Sequence, residues 1–362
     1  MEGMVDTTLK SKNSQKASNI VKVLREQILT GMLKPGTRIM SARELSRHFQ
    51  VSQVTANKAL LQLVEDKLIV RNERSGSFVK KNWQAKNHTI GFADNLDVFG
   101  PEIQASCGLY RDTCIRMLYE NNCSVRFLRK DEIPDAVLER DFDGILGYYA
   151  GWDDELMARM KKTGIPVVLG RFDFVLNTPF HQVLPDIYGA VYEVFHRIDR
   201  KQFDGLIIIY EDHDNCLYRR DIALKLAHCI GFEEENIELF KASHLEVEMN
   251  YPLWQDVSRR CRLGRKFIYT CGDNMASGLI RVFRESGVEL GKEIQLASCG
   301  NLEDCGYRPF EEPTITGAGT IYEEYAMAAV RLLMRVLELP EENKFSQITR
   351  VPAVYKKRKT AF

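Results

Sequence analysis

Apolar residues in the first eighty positions recur first at helical spacing and then at strand spacing. Ile20, Val23, Leu24 and Ile28 mark one face of a helix that Gly31 and the Pro35-Gly36 pair bring to an end. Ala42, Leu45 and Phe49 make a shorter stripe. It is introduced by Ser41-Ala42-Arg43-Glu44, the spacing of a capping box in which serine hydroxyl and glutamate carboxylate each take the other's backbone amide. Val51-Ser52 interrupts, and Ser52 caps a further helix whose buried face is Ala56, Ala59, Leu60, Leu63 and Val64. Residues 68–71 and 77–80 are rich in β-branched and aromatic side chains around a turn-forming stretch from Asn72 to Gly76, the pattern of a hairpin. Three helices and a hairpin make a helix-turn-helix with a wing over residues 17–80, after a loose arm over 1–16. The polar, aperiodic residues 81–88 that follow read as a linker.

From residue 89 the rhythm changes to buried strands alternating with amphipathic helices. Strands are expected at 89–93, 124–128, 143–147 and 166–169. A second series places strands at 182–184, 206–210, 237–240, 267–270 and 294–297, with helices at 186–198, 217–230 and 274–285. Such βαβ repetition predicts parallel sheets covered on both faces by helices, and two series predict an α/β domain of two lobes over 89–362 with a cleft between them.

The chain has 362 residues and balanced charge, 50 Lys+Arg against 50 Asp+Glu, but the balance is uneven along it. Residues 10–81 hold 15 basic and 5 acidic residues, so a basic head precedes an acidic body. A basic helix-turn-helix points to double-stranded DNA, since its second helix has the size to enter a major groove. The polar first sixteen residues lack a signal-peptide core and no stretch approaches the roughly 20 apolar residues of a membrane span, which points to a cytoplasmic protein with no membrane partner. The 9 cysteines contain no C-x-x-C pair, and most fall in apolar patterns, Cys107, Cys114, Cys229 and Cys271 among them, so they read as reduced buried thiols. Phosphate-binding, hydrolase-elbow, dinucleotide and zinc-protease motifs are absent, and His213 between two aspartates reads as a surface loop. No catalysis, cofactor or metal is expected.

Residues 17–80 resemble the winged helix-turn-helix of the GntR family of bacterial regulators. The matching parts are Gly31, Pro35-Gly36, Ser41 to Leu45, Val51-Ser52 and Gly76-Ser77-Phe78-Val79. Met40, Gln53 and Arg74 depart from the family's usual Pro, Arg and Gly, so the operator should differ from its commonest one. The resemblance implies base or phosphate contacts by Ser41, Arg43, Ser52, Gln53, Thr55 and Asn57, with Arg71, Arg74 and Gly76 on the wing.

Residues 89–355 resemble the effector domain of LacI-type repressors, which share the fold of periplasmic sugar-binding proteins. The resemblance rests on the run from Cys271 to Gly278, on Glu285 to Val288 with Gly291 to Ile294, and on Gly164 to Val168. Ligands in open α/β sheets sit beyond the carboxyl ends of strands. That rule gives Asn95, Asp97, Phe99, Tyr148, Trp152 and Arg171 in the first lobe and Asp212, His213, Asp273 and Asn301 in the second. With the resemblance, Asp97, Phe99, Arg171, Asp273 and Asn301 are selected for a sugar, and Arg220 of the neighbouring Arg219-Arg220 pair. Gly272 and Gly300 replace polar family positions, so the pocket is not a copy of a relative's. A GntR head on a LacI body is the combination of arabinose-repressor-like regulators. It implies a homodimeric repressor on a near-palindromic operator that responds to a small sugar, by analogy a pentose or deoxyhexose. Two assignments of other classes stand beside it: a sugar-binding protein whose head serves protein interaction, and an enzyme fused to a DNA-binding head. Lys356 to Lys359 read as a solvated tail.

Overall fold

The computed structural model describes residues 7–29, 32–66, 68–72, 75–80, 88–94, 101–129, 141–148, 154–170, 173–243, 250–292, 294–339 and 345–362. The chain forms two compact units, Met1–Asn87 and His88–Phe362. The first holds α1 (Thr7–Leu29), β1 (Arg38–Ile39), α2 (Ala42–His48), α3 (Gln53–Glu65), β2 (Ile69–Asn72) and β3 (Gly76–Val79). Helix α1 begins at Thr7, so much of the expected loose arm is helical. The polar stretch lacks an apolar stripe, which is why periodicity placed the start at Ile20. Ile20, Leu24 and Ile28 of α1 meet Leu45 of α2 and Ala56, Ala59, Leu60 and Leu63 of α3 in one core, each at most 1 % exposed. The hairpin β2–β3 closes that core through Ile69 and Val79, and β1 adds a third strand antiparallel to β3.

The second unit has two six-stranded sheets. One carries β4 (Thr89–Asp94), β5 (Ser124–Leu128), β6 (Gly144–Tyr148), β7 (Val167–Gly170), β8 (His181–Pro185) and β14 (Ile348–Val351), all parallel, in the order β14-β8-β7-β6-β4-β5. The other carries β9 (Gly205–Glu211), β10 (Ile237–Ala242), β11 (Lys266–Thr270), β12 (Gln295–Cys299), β13 (Gly317–Thr320) and β15 (Ala353–Lys356) in the order β10-β9-β11-β12-β13-β15. There β15 alone runs antiparallel, against β13. The Gly-Leu-Ile-Ile-Ile-Tyr-Glu sequence of β9 is apolar on both faces because it lies at the sheet's centre, where helices cover both sides.

Helices α4 (Pro101–Glu120), α5 (Asp154–Thr163) and α10 (Tyr322–Glu338) cover the first sheet. Helices α6 (Ile187–Phe195), α7 (Asp214–Cys229), α8 (Tyr251–Cys261) and α9 (Asp273–Glu285) cover the second. The chain therefore crosses between lobes at 185–187, 320–322 and 351–353. No helix among the described residues is long and apolar enough to cross a membrane.

The C-terminus departs from the expected solvated tail. Thr360 O accepts from Leu296 N at 2.9 Å, and the Arg358 side chain, 9 % exposed, donates to Ile315 O, Asn301 Oδ1 and Asp304 Oδ1. Four consecutive basic residues hide one that folds inward because its partners lie 42 to 57 positions upstream. Cys229, expected inside, is exposed; seven other cysteines are buried.

Candidate DNA interface and ligand cavity

In the head the capping box forms as the spacing requires. Ser41 N donates to Glu44 Oε2 at 2.6 Å, and Glu44 N to Ser41 Oγ at 3.3 Å. The backbone and hydroxyl of Ser41 hold the Glu44 carboxyl below the usual carboxylate range. Ser52 Oγ accepts from Thr55 N at 3.1 Å and meets Thr55 Oγ1 at 2.8 Å. That contact, and burial to 5 % exposure, turn Thr55 away from a groove, so its placement among base contacts is corrected. Arg43 and Gln53 are exposed where the two helices begin. Asn57 accepts from Arg71 Nη1 at 2.8 Å, tying recognition helix to wing. Gly76 has φ +105°, a backbone region open to glycine, and sits against the Arg38 guanidinium. Arg74 lies outside the described residues. Sequence reasoning passed over Val54, 80 % exposed on α3; the signal was an apolar residue out of phase with the buried stripe.

Between the lobes of the second unit is a cavity of about 120 Å³. It lies at the carboxyl ends of β9, β11 and β12, next to the reversal of strand order, where open α/β sheets take ligands. Its size is well below the roughly 300–1,000 Å³ of drug-sized sites and suits a small ligand. Asp273, the first residue of α9, is 2 % exposed and projects into the wall. Its Oδ2 accepts from Leu302 N at 2.8 Å, while Oδ1 has no hydrogen-bond partner among the described residues. Burial pushes its pKa up, against the pull of the nearby Ser298 hydroxyl, the Leu302 amide, Arg358 and Arg219. Gly300 lets the carboxylate sit close, since a Cβ there would lie 2.6 Å from Asp273 Oδ1 and the carboxylate would have to shift.

Asn301 also lines the cavity, but its amide nitrogen donates to Val354 O at 2.8 Å and its oxygen accepts from Arg358. Its role is thus to shape the wall. Arg219, not Arg220, faces the cavity. Arg220 lies over the Tyr210 ring, 4.8 Å from its centroid, and pairs with Asp221, so its placement in the pocket is corrected. Arg219 Nε binds Asp173 of the first lobe and Nη1 donates to Cys271 O at 2.8 Å. Burial is the largest single influence and opposes the Arg219 charge, but Asp173 together with the neighbouring Cys299 and Cys216 holds the pKa well above its usual value. Asp173 N donates to Asn215 Oδ1 at 3.2 Å, and Phe174 packs on Tyr218 with centroids 5.7 Å apart, so helix α7 grips the opposite lobe at three points. His213, at a strand end as the sequence indicates, caps α7 and lines the cavity with Glu211 and Cys216. Asp97, Phe99 and Arg171 lie outside the described residues.

Residues 16–79 match the family model of bacterial regulatory proteins, gntR family. The arabinose metabolism transcriptional repressor of Halalkalibacterium halodurans is 22 % identical over 348 residues, 89 % of each chain. The mannosyl-D-glycerate transport/metabolism system repressor of Escherichia coli is 43 % identical over 58 residues, 16 % of this chain and 24 % of that one. A LacI family transcriptional regulator from Enterococcus faecium with bound ribose superposes with a TM-score of 0.61 at 16 % identity, covering 75 % of this chain and 98 % of its own. A complex of the regulator CelR with cellobiose gives 0.59 at 17 % identity, covering 86 % and 92 %. Residues 16–79 thus form a gntR-type DNA-binding head, and the body has the two-lobed fold of the LacI-type structures.

Proposed function

We propose that the chain is a sugar-responsive repressor that binds a near-palindromic operator as a homodimer and is released when a small sugar occupies the interlobe cavity. The observation that carries this reading is the joining of a gntR-type head to a cavity whose walls come from both lobes. A ligand there changes the relation of the lobes by contacting both. Similarity to an arabinose metabolism repressor along 89 % of the chain supports a sugar as ligand. The cavity's size suits a monosaccharide such as a pentose or deoxyhexose.

On the DNA side, Arg43 and Gln53 offer donors to base edges, and Val54 offers a methyl face to thymine. Ser41 and Ser52 stay near the backbone as caps, and Asn57 acts with Arg71 as one unit. On the ligand side, Asp273 presents an acceptor to a hydroxyl, Arg219 and Asp173 flank it, and Asn301 holds the wall. Domain limits follow the reading of head, linker and body at residues 17–80, 81–88 and 89–362. The test is fluorescence anisotropy of the full chain on duplex from its own upstream region and on a scrambled duplex, at about 0.15 M salt where non-specific binding is weakened. Preference for its own duplex, abolished by one sugar of a panel, is expected. Tighter binding with that sugar would reverse the sign of control.

A further inference from the structure

Sugar recognition leaves one group of cavity side chains without a task. Glu211 closes β9, His213 is the cap of α7 and Cys216 lies in its first turn; the carboxylate, imidazole and thiol donors stand within 4.8 Å of one another. Thiols are poor partners for hydroxyl groups, yet Cys271 and Cys299 line the same cavity. We propose that Glu211, His213 and Cys216 bind one divalent ion of the zinc class in the cavity wall, its fourth position facing the cavity.

Three observations carry the site. The first is spacing: His213 Nε2 and Glu211 Oε2 are 3.4 Å apart. That is longer than a normal N–H···O bond of about 2.7–3.2 Å. It matches the roughly 3.3–3.4 Å between two light donors bound at about 2.0–2.1 Å to one tetrahedral ion. Closing all three donors on one ion takes side-chain adjustments of about 1 Å. The second is support: Asn274 Nδ2 donates to Glu211 Oε1 at 2.7 Å, fixing the carboxylate and leaving Oε2 towards His213. The third is chemistry. One carboxylate, one imidazole and one thiolate form a borderline set that favours zinc over magnesium or calcium, and three protein ligands leave a position for water or a ligand oxygen.

Ion binding has a stated proton balance. His213 Nδ1 accepts from Cys216 N at 3.4 Å, which leaves Nε2 on the side of Glu211. An imidazole coordinated through Nε2 carries its proton on Nδ1, and the thiol proton of Cys216 leaves to solvent, so ion binding releases that thiol proton. The Nδ1–H then faces the Cys216 N–H, so the ring turns and the cap bond is given up. At 3.4 Å that bond is long, so little is forfeited. Burial, which otherwise pushes the Cys216 thiol up to about 12, is answered by the charge of the ion. Asn215 and Arg219, which grip the other lobe, lie within the same helical start, so the ion acts on the element that joins the lobes.

Equilibrium dialysis of the full chain with zinc chloride, and cobalt(II) absorption spectroscopy, both without sugar, test this independently of the effector assignment. One tightly held ion per chain and a thiolate-to-cobalt charge-transfer band are expected, both lost in Cys216→Ser and kept in Cys229→Ser, whose side chain is exposed. Asn274→Ala should weaken binding about 10- to 100-fold. Far-ultraviolet circular dichroism checks that each variant folds; if Cys216→Ser does not, His213→Gln takes its place. No bound ion, or a band that survives loss of Cys216 and vanishes with Cys229, would overturn the site.

Discussion

A buried carboxyl with one unpartnered oxygen is an expensive thing for a fold to keep, and Asp273 is such a group. Its pKa is raised in the folded chain above its unfolded value, chiefly by burial. Stability from this group therefore falls as pH climbs through the unfolded pKa, and the loss is complete above the folded one. Asp273→Asn keeps an oxygen for the Leu302 amide and removes the charge. We expect a higher melting temperature than the parent at neutral pH, a difference that closes in acid, and a lost response to the sugar. Equal melting temperatures at pH 7 would mean the carboxyl is not strained there. Arg219→Ala has the opposite sign: it leaves Asp173, 5 % exposed at the side chain, without its cation. Stranding one member of a buried pair costs about 3–5 kcal/mol, and the lower end applies because Arg219 itself is 21 % exposed. Urea unfolding at pH 7 reads the loss. Sequence selected Asp273 because a strand-end rule and a local motif agreed on it. It chose Arg220 over Arg219 because adjacent helix positions differ by about 100° in direction, and only the packing of α7 says which one faces inward.

At the scale of elements, the head was legible where its determinants are local. The Ser41–Glu44 box and the Ser52 cap lie within three residues of what they bind. Ser41→Ala and Ser52→Ala should each cost the head about 1 kcal/mol. The effect on DNA binding should exceed this only for a residue that also touches phosphate, and anisotropy beside thermal melting separates the two. Thr55 was misread for a related reason: its position on the first turn of α3 suggests exposure, yet its hydroxyl turns back to the cap. In the body, strands and helices followed from alternation because βαβ units bury whole faces. What periodicity could not register was the return of the C-terminus. Thr316 N donates to Thr360 Oγ1 and Arg358 reaches Glu303 and Asp304 across the end of the second sheet, contacts without a local pattern. Arg358→Ala should accordingly disturb the cavity through Asn301, lowering sugar affinity while DNA binding without sugar is unchanged. Equal affinity for sugar in this variant would show that the wall holds itself.

For the whole molecule, the division into two compact units with separate cores makes a thermodynamic expectation. Each unit folds around its own apolar interior, so calorimetry should show two transitions rather than one. Ligands then label them: a molecule that binds only the folded body stabilises it by about 2.7 kcal/mol at a hundredfold excess over its Kd. Operator DNA should raise the head's transition in the same way, by an amount that falls steeply with salt because basic residues replace counterions on phosphate. If the units are coupled as a repressor requires, sugar and DNA together must raise the two transitions by less than each does alone. The deficit is the coupling free energy, about 1–3 kcal/mol for allosteric proteins of ordinary strength, and it must be the same whichever ligand is added first. Additive shifts would mean that the cavity binds its ligand without informing the head. A deficit of the opposite sign would mean that the sugar strengthens the hold on DNA.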